Sequence, residues 1–192
     1  SNLVDPNNPA DDVPTKLVNA TLLGADFQQA LLTNVIATGA NFSPSATRVT
    51  DFSLAVINNV NFSGANFTGA NLFKASIDGS NFSGANLTNA SLSQADLSGE
   101  PDGIFNNFSN ANLTGATLTG TKLKGAHLTD AKLINANLQG ADLESALFVN
   151  VDATGADFRT TNFTDGKIEN STFDLANLGG IALTDTKPEN AG

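Results

Sequence analysis

Large apolar residues recur along this chain at a strict spacing of five. These centres run from Leu17 to Leu97, giving 17 units, then resume one residue out of phase from Phe108 to Leu183, giving 16 more. Two positions before each centre stands a small residue, Ala in 20 of the 33 units, while the immediate neighbours are mostly Asn, Asp, Ser and Thr. In extended chain alternate residues point the same way. The centre and the small residue therefore share an inner face, and the polar neighbours meet solvent. A helix needs apolar spacings of three and four, which a strict five cannot maintain. Two positions after the centre lie 13 of the 17 glycines, with Asn common among the rest, as a corner of positive φ requires. Each unit is predicted to be a very short strand followed by a corner.

Short strands that all turn the same way close into coils, and stacked coils pair backbone to backbone. Units such as Ala65-Asn66-Phe67-Thr68-Gly69 and Ala85-Asn86-Leu87-Thr88-Asn89 carry this pattern in full. They resemble the pentapeptide repeat proteins, whose signature is A-(D/N)-L-x-x, and the resemblance runs from about Thr15 to Lys187. It implies an all-β, right-handed quadrilateral parallel β-helix of four units per coil. The repeat then makes about eight coils, on the order of 40 Å long at about 4.8 Å per coil. Three segments follow: a non-repeat lead-in or cap at 1–14, the β-helix at 15–187 with an interruption at 99–107, and a tail at 188–192. The lead-in carries Pro6, Pro9 and Pro14, which resist β-pairing.

Four units per coil also set a stacking rule. Each residue stands over the one four units further along, or one position beyond that across the slip. By that rule Asn41-Phe42-Ser43, Asn61-Phe62-Ser63 and Asn81-Phe82-Ser83 form one ladder, which stops at Gly99, and Leu31 and Phe73 share a side. Lys122 and Lys124 resume the ladder's side, facing Asp142 and Glu144 one coil later as exposed ion pairs. His127 points outward beside them. Thr47, Ala37 and Ala153 stand as undersized inner centres. At Gly99-Glu100-Pro101-Asp102-Gly103-Ile104-Phe105 a six-residue stretch replaces a repeat and bulges outward, because Pro cannot donate to the ladder and Pro-Asp-Gly is a turn signal.

Composition narrows the chemistry. A net charge of −10 opposes direct nucleic-acid binding, since phosphate contacts need Lys and Arg. It suits a basic protein partner, and equally plain solubility. There is no Cys, hence no disulfide or thiolate metal site, and no apolar run long enough for a membrane-spanning helix. The single His has no catalytic or metal-ligating companion in sequence, no phosphate-binding loop appears, and a filled coil offers no cleft. No catalytic, cofactor or metal residue is expected.

The leading expectation is a rigid non-catalytic scaffold that binds another protein, as a monomer or an end-to-end dimer. Contacts are expected at the bulge, through Glu100, Pro101, Asp102, Ile104 and Phe105, and at Phe73, one of four large apolar residues in outward positions with Leu31, Leu147 and Val149. The resemblance also implies an alternative, a DNA-mimic inhibitor or protector of DNA gyrase, because some family members combine a rod shape with negative charge. The chain opens at Ser1 and holds no Met, which implies a processed or trimmed N-terminus. A periplasmic or thylakoid-lumen location therefore stands beside a cytoplasmic one.

Overall fold

The computed structural model describes residues 14–99 and 105–184, together with the backbone of 187–189. The lead-in, apart from Pro14, lies outside the described residues, as do Glu100 to Ile104 and most of the tail. Among the described residues there is no helix. Each five-residue unit is one wall of a four-sided coil. The corner is closed by a short turn, as where the Ala65 N–H donates to the Phe62 carbonyl at 3.0 Å. The remaining backbone groups bond along the axis: Phe62 N–H donates to Asn81 O at 2.7 Å, and Asn81 N–H donates back to Val60 O at 2.9 Å. Repeated at every wall, these bonds build four parallel columns and a right-handed β-helix.

The columns are named here by their first rungs: Lys16 for the first side, Thr21 for the second, Asp26 for the third and Leu31 for the fourth. The third side runs through Asp26, Asp51, Asn71, Ser91, Thr117, Asn137, Asp157 and Asn177, so there are eight coils. Full strands form at six walls. On the fourth side β1 (Leu31–Thr33), β2 (Val56–Asn58) and β3 (Ser76–Asp78) pair in order. On the first side β4 (Leu147–Val149), β5 (Lys167–Glu169) and β6 (Lys187–Glu189) do the same.

Inside, the small residues sit at the corners and the centres fill the middle. Rings dominate the two ends. Phe67 is fully buried and its ring meets those of Phe42, Phe52, Phe62 and Phe82 at 4.8–5.6 Å. A second group joins Phe148, Phe158, Phe163 and Phe173. The coils between hold Leu. In the last described coil the centres Leu178 and Leu183 are exposed.

The register departs from the uniform stacking rule in two places. Asn41 pairs with Asn66, one unit further along than the rule allows, so the unit around Thr47 is looped out between the second and third sides and Thr47 is exposed. It is not an inner centre. Because the loop spans one whole period, the spacing of five continues through it and hides it from pattern counting. Ala37 and Ala153 are inner centres, both fully buried. The second departure pairs Asn81 with Asn107, a unit and one further position beyond the regular partner. The stretch near residue 100 is therefore an addition to a complete coil, placed between the fourth and first sides, and it replaces no repeat.

Three stacking expectations change as a result. Asn41 stands over Asn66 and Asn86 on the second side, with its Oδ1 accepting from Asn66 Nδ2 at 3.1 Å, while Asn61, Asn81 and Asn107 form a separate column on the first. The ladder therefore continues past Gly99. Leu31 and Phe73 lie on adjacent sides, the fourth and third. Lys122 continues the fourth side below Asp96 and takes no part in the Asn81 column.

Both departures are sealed from inside by a buried polar residue at a position where Ala is usual. Thr50 Oγ accepts from Gly24 N–H at 2.8 Å and donates to Ser43 O at 2.9 Å. Asn106 donates through Nδ2 to Ile77 O and Leu97 O, both at 2.9 Å, and its Oδ1 accepts from Ser80 N–H at 2.9 Å. Asn106 satisfies backbone groups that the interrupted ladder would leave buried and unpaired, while Thr50 reinforces Gly24 N–H and Ser43 O, which also bond to each other at 3.2 Å. If the first loop is only carried by the fold, replacing Pro44–Val49 with one Gly restores the regular four-unit register. The expected result is a solenoid whose midpoint in thermal circular dichroism equals or exceeds the parent's, because loop closure is no longer opposed by chain entropy. A midpoint lowered by several degrees would show that the loop braces the stack.

Candidate functional site

The walls of a closed, filled coil are flat, so a site here must be a surface built from departures in the outward positions. The clearest lies at the corner between the third and fourth sides in the upper coils. Leu54 donates its backbone N–H to Phe73 O at 3.0 Å, Val56 follows Leu54 by two residues, and Leu31 is the register partner of Val56. All four side chains are exposed, Leu54 by 49% and Phe73 by 37%. Lys74 Nζ lies 5.1 Å over the Phe73 ring and covers part of it. Exposed apolar residues gathered at one corner make it the candidate interaction site.

Leu54 departs from the repeat twice over. It occupies the corner position with φ of 60°, where the other corners hold Gly, Asn or another polar residue, Leu175 excepted. A left-handed conformation costs a residue with Cβ roughly 1–2 kcal/mol, and here it holds an apolar side chain out in water. Sequence reading found Leu31 and Phe73 but missed Leu54 and Val56. The available signal was the Leu at a corner position, which the spacing of five alone passes over.

The other expected contacts fall elsewhere. Phe105 ends the second insertion, its ring lying against the backbone of Gly125 and 6.0 Å from the His127 ring. His127 itself belongs to the first side with Asn107 and Leu147, around the corner from the lysines of the fourth. Phe105 and Phe73 are on different walls and are not brought together. Glu100, Pro101, Asp102 and Ile104 lie outside the described residues. Leu147 and Val149 flank Phe148 within β4 on the first side, apart from the Phe73 corner.

Below the apolar corner the fourth side becomes charged. Lys122 pairs upward with Asp96 at 2.7 Å instead of downward with Asp142, while Lys124 pairs with Glu144 at 2.7 Å as expected. Burial pushes the Asp96 carboxyl up, but the bonds from Lys122 and Ser98 outweigh it and hold it below the usual range. Burial likewise raises Asp51, and the bonds from Ser53, Gln28 and Asn71 again win and lower it. The bond to Asp96 raises Lys122. Among the described residues no three His, Cys, Asp or Glu side chains gather as a metal would require, and no helix is long and apolar enough to cross a membrane.

The profile of the pentapeptide repeats matches in eight copies across residues 15–43, 50–73, 66–99, 107–130, 126–165 and 142–180. The chain belongs to the pentapeptide repeat family. The stretches that the family profile leaves out between its matches, 44–49 and 100–106, contain the two insertions that the register reveals. Among solved pentapeptide repeat structures, full-length QnrB1, a plasmid-mediated fluoroquinolone resistance protein, is 21% identical. It covers 88% of this chain and 82% of its own at a TM-score of 0.55. HetL, involved in heterocyst differentiation regulation in the cyanobacterium Nostoc sp. strain PCC 7120, is 22% identical, covering 90% and 84% at 0.48. Rfr23 from the cyanobacterium Cyanothece 51142 is 21% identical, covering 73% and 88% at 0.28. The likeness is one of fold. No curated protein matches the chain in sequence.

Two measurements check this surface. Leu54→Asn, which suits positive φ, is expected to raise stability to chemical denaturation by up to about 1 kcal/mol, a fraction of the left-handed cost. A loss of stability would show that Leu54 is held by packing. The depressed carboxyls of Asp51 and Asp96 contribute stability that is present above about pH 4, the ordinary carboxylate pKa, and is lost as pH falls through their lowered values. Asp96→Asn is therefore expected to flatten the fall in melting temperature between neutral pH and about pH 2, and an unchanged acid limb would show the Lys122 pair to be inert. The raised Lys122 has the opposite sign, its contribution fading as pH rises beyond about 10.4.

Proposed function

We propose that the chain is a non-catalytic, rigid scaffold that docks another protein through the apolar corner formed by Leu31, Leu54, Val56 and Phe73. The observation that carries this reading is Leu54, an exposed apolar side chain at positive φ, in contact through its backbone with a second exposed apolar residue. Interfaces concentrate binding energy in a few buried anchors that neighbouring contacts shield from water. The stacked backbone keeps these anchors fixed, so little ordering cost is added on docking. A filled interior with polar walls also supports a role without catalysis.

Affinity capture from the source cells, run with the parent and with a Val56→Ser, Phe73→Ser double variant, tests this. A protein retained by the parent and lost by the variant supports the scaffold reading. Identical sets from both sink it.

A second reading follows from the QnrB1-like fold and the net charge of −10: the chain acts on DNA gyrase as a DNA mimic. Against it, the second side carries uncharged Asn41, Asn66, Asn86 and Asn112 in succession, and Lys122 and Lys124 neutralise carboxylates on the fourth. Gyrase supercoiling assays with and without a fluoroquinolone separate the two readings. Inhibition or drug protection at low micromolar protein would replace the scaffold reading, which expects no effect.

A further inference from the structure

The two walls that face away from the apolar corner differ from the rest of the surface. On the first and second sides, residues 36–43, 61–69, 81–89 and 107–115 include no Asp, Glu, Lys, Arg or His, in a chain whose net charge is −10. The fold does not require this. Lower in the same two columns stand His127, Leu147 and Lys167, and Lys132 and Asp152. In the same coils the other two walls carry Asp51, Lys74, Asp78 and Asp96.

Three successive coils repeat one outward array there. Asn61, Asn81 and Asn107 stack on the first side and Asn66, Asn86 and Asn112 on the second, with rungs about 4.8 Å apart. Each carboxamide is held in place, because its Oδ1 accepts the backbone N–H two residues on. The donor is a Ser on the first side, at 2.9–3.0 Å, and a Thr on the second, at 3.0–3.1 Å. Each Nδ2 brings two N–H donors. Of the six, only Asn66 uses one within the chain, toward Asn41. At the corner between the columns stand Gly64 and Gly84, where a Cβ would meet nothing within 4 Å, so no side chain rises between the walls at those rungs.

We infer that this double ladder binds a neutral, linear polysaccharide laid along the axis. Amide donors fixed in a row suit acceptors that recur in a row, as the hydroxyl and ring oxygens of a glycan chain do. Two walls without charge select against nucleic acid and anionic glycans, whose recognition needs Lys and Arg. They also offer a protein little to bury, since among the described residues these three coils expose no large apolar side chain on either wall. In a β-1,4-linked chain each pyranose ring advances by roughly one rung, so successive rings meet successive coils. One hydrogen bond made in exchange for water contributes little, but equivalent rungs on a rigid wall act together without further ordering. The ladder lies across the rod from Leu54 and Phe73. It goes beyond the scaffold reading, does not depend on it, and leaves the apolar corner free.

The test titrates the full chain, isotope-labelled for NMR, with cellohexaose, mannohexaose and chitohexaose while following the side-chain amide signals. Saturable shifts centred on Asn61, Asn81, Asn66 and Asn86 are expected with at least one of the three, stronger for the hexasaccharide than for its disaccharide and insensitive to moderate salt. An Asn81→Asp, Asn86→Asp double variant keeps the acceptor that the fold uses, as Asp51 and Asp142 do in their own columns, but exchanges the donors for charge. It should weaken binding about tenfold or more. Asn137→Asp, Asn162→Asp, on the other two walls, should bind as the parent does. The absence of a saturable shift with all three hexasaccharides overturns the inference. So do undiminished binding by the first double variant, shifts spread over all four walls, and equal binding of an oligogalacturonate, which carries a carboxylate on every ring.

Discussion

Everything in this molecule depends on the hydrogen bonds that tie each wall to the same wall of the next coil. No unit could hold its shape alone, since three extended residues and a corner bury almost nothing. Stacking gives each inner residue a neighbour above and below, and the axial bonds run unbroken where the corner residue adopts positive φ. That requirement explains Gly and Asn at the corners, Ala at the inner bends and Leu or Phe in the middle. It also explains why the fold tolerates an added unit in one place and an added unit with one extra position in another. The chain can leave the stack at a corner, provided that it re-enters in phase and any backbone groups exposed by the gap are taken up, as Asn106 does at the second addition.

The same constraint governs what could be read from sequence. A local rule applied identically at each wall leaves a local signature, so side, corner and interior positions were legible residue by residue. Register was not, because it is a relation between coils. The unit around Thr47 keeps the spacing of five and differs from its neighbours only in its small polar centre and in Pro44 and Val49 at its corners. Those departures fit an undersized inner centre as well as a looped-out unit, and only the register separates the two. The error surfaced on the outside of the coil: one missed period moved Leu31 to the wrong side relative to Phe73, and a second addition moved Lys122 away from Asp96.

Once the register is corrected, the apolar corner becomes a single feature. Leu31, Leu54, Val56 and Phe73 are far apart in sequence, yet they occupy three successive coils at one corner. Single exposed apolar residues are ordinary on any surface. Four around one corner, including a Leu in a conformation that disfavours it, form a cluster, whereas the other outward apolar residues, Leu147, Val149 and Leu175 among them, lie on other walls.

The charged rungs of the fourth side extend that reasoning from packing to charge. In a stacked coil each outward side chain has one neighbour above and one below, so ion pairs and amide bonds are shared out along columns. Lys122 can serve Asp96 or Asp142, and it takes Asp96, leaving Asp142 to Asn162. Ser98 is then engaged as well, and the shortage passes one rung up the neighbouring column to Asp78. Donors are thus committed unevenly along the two columns, and Asp78 Oδ1 is left without one.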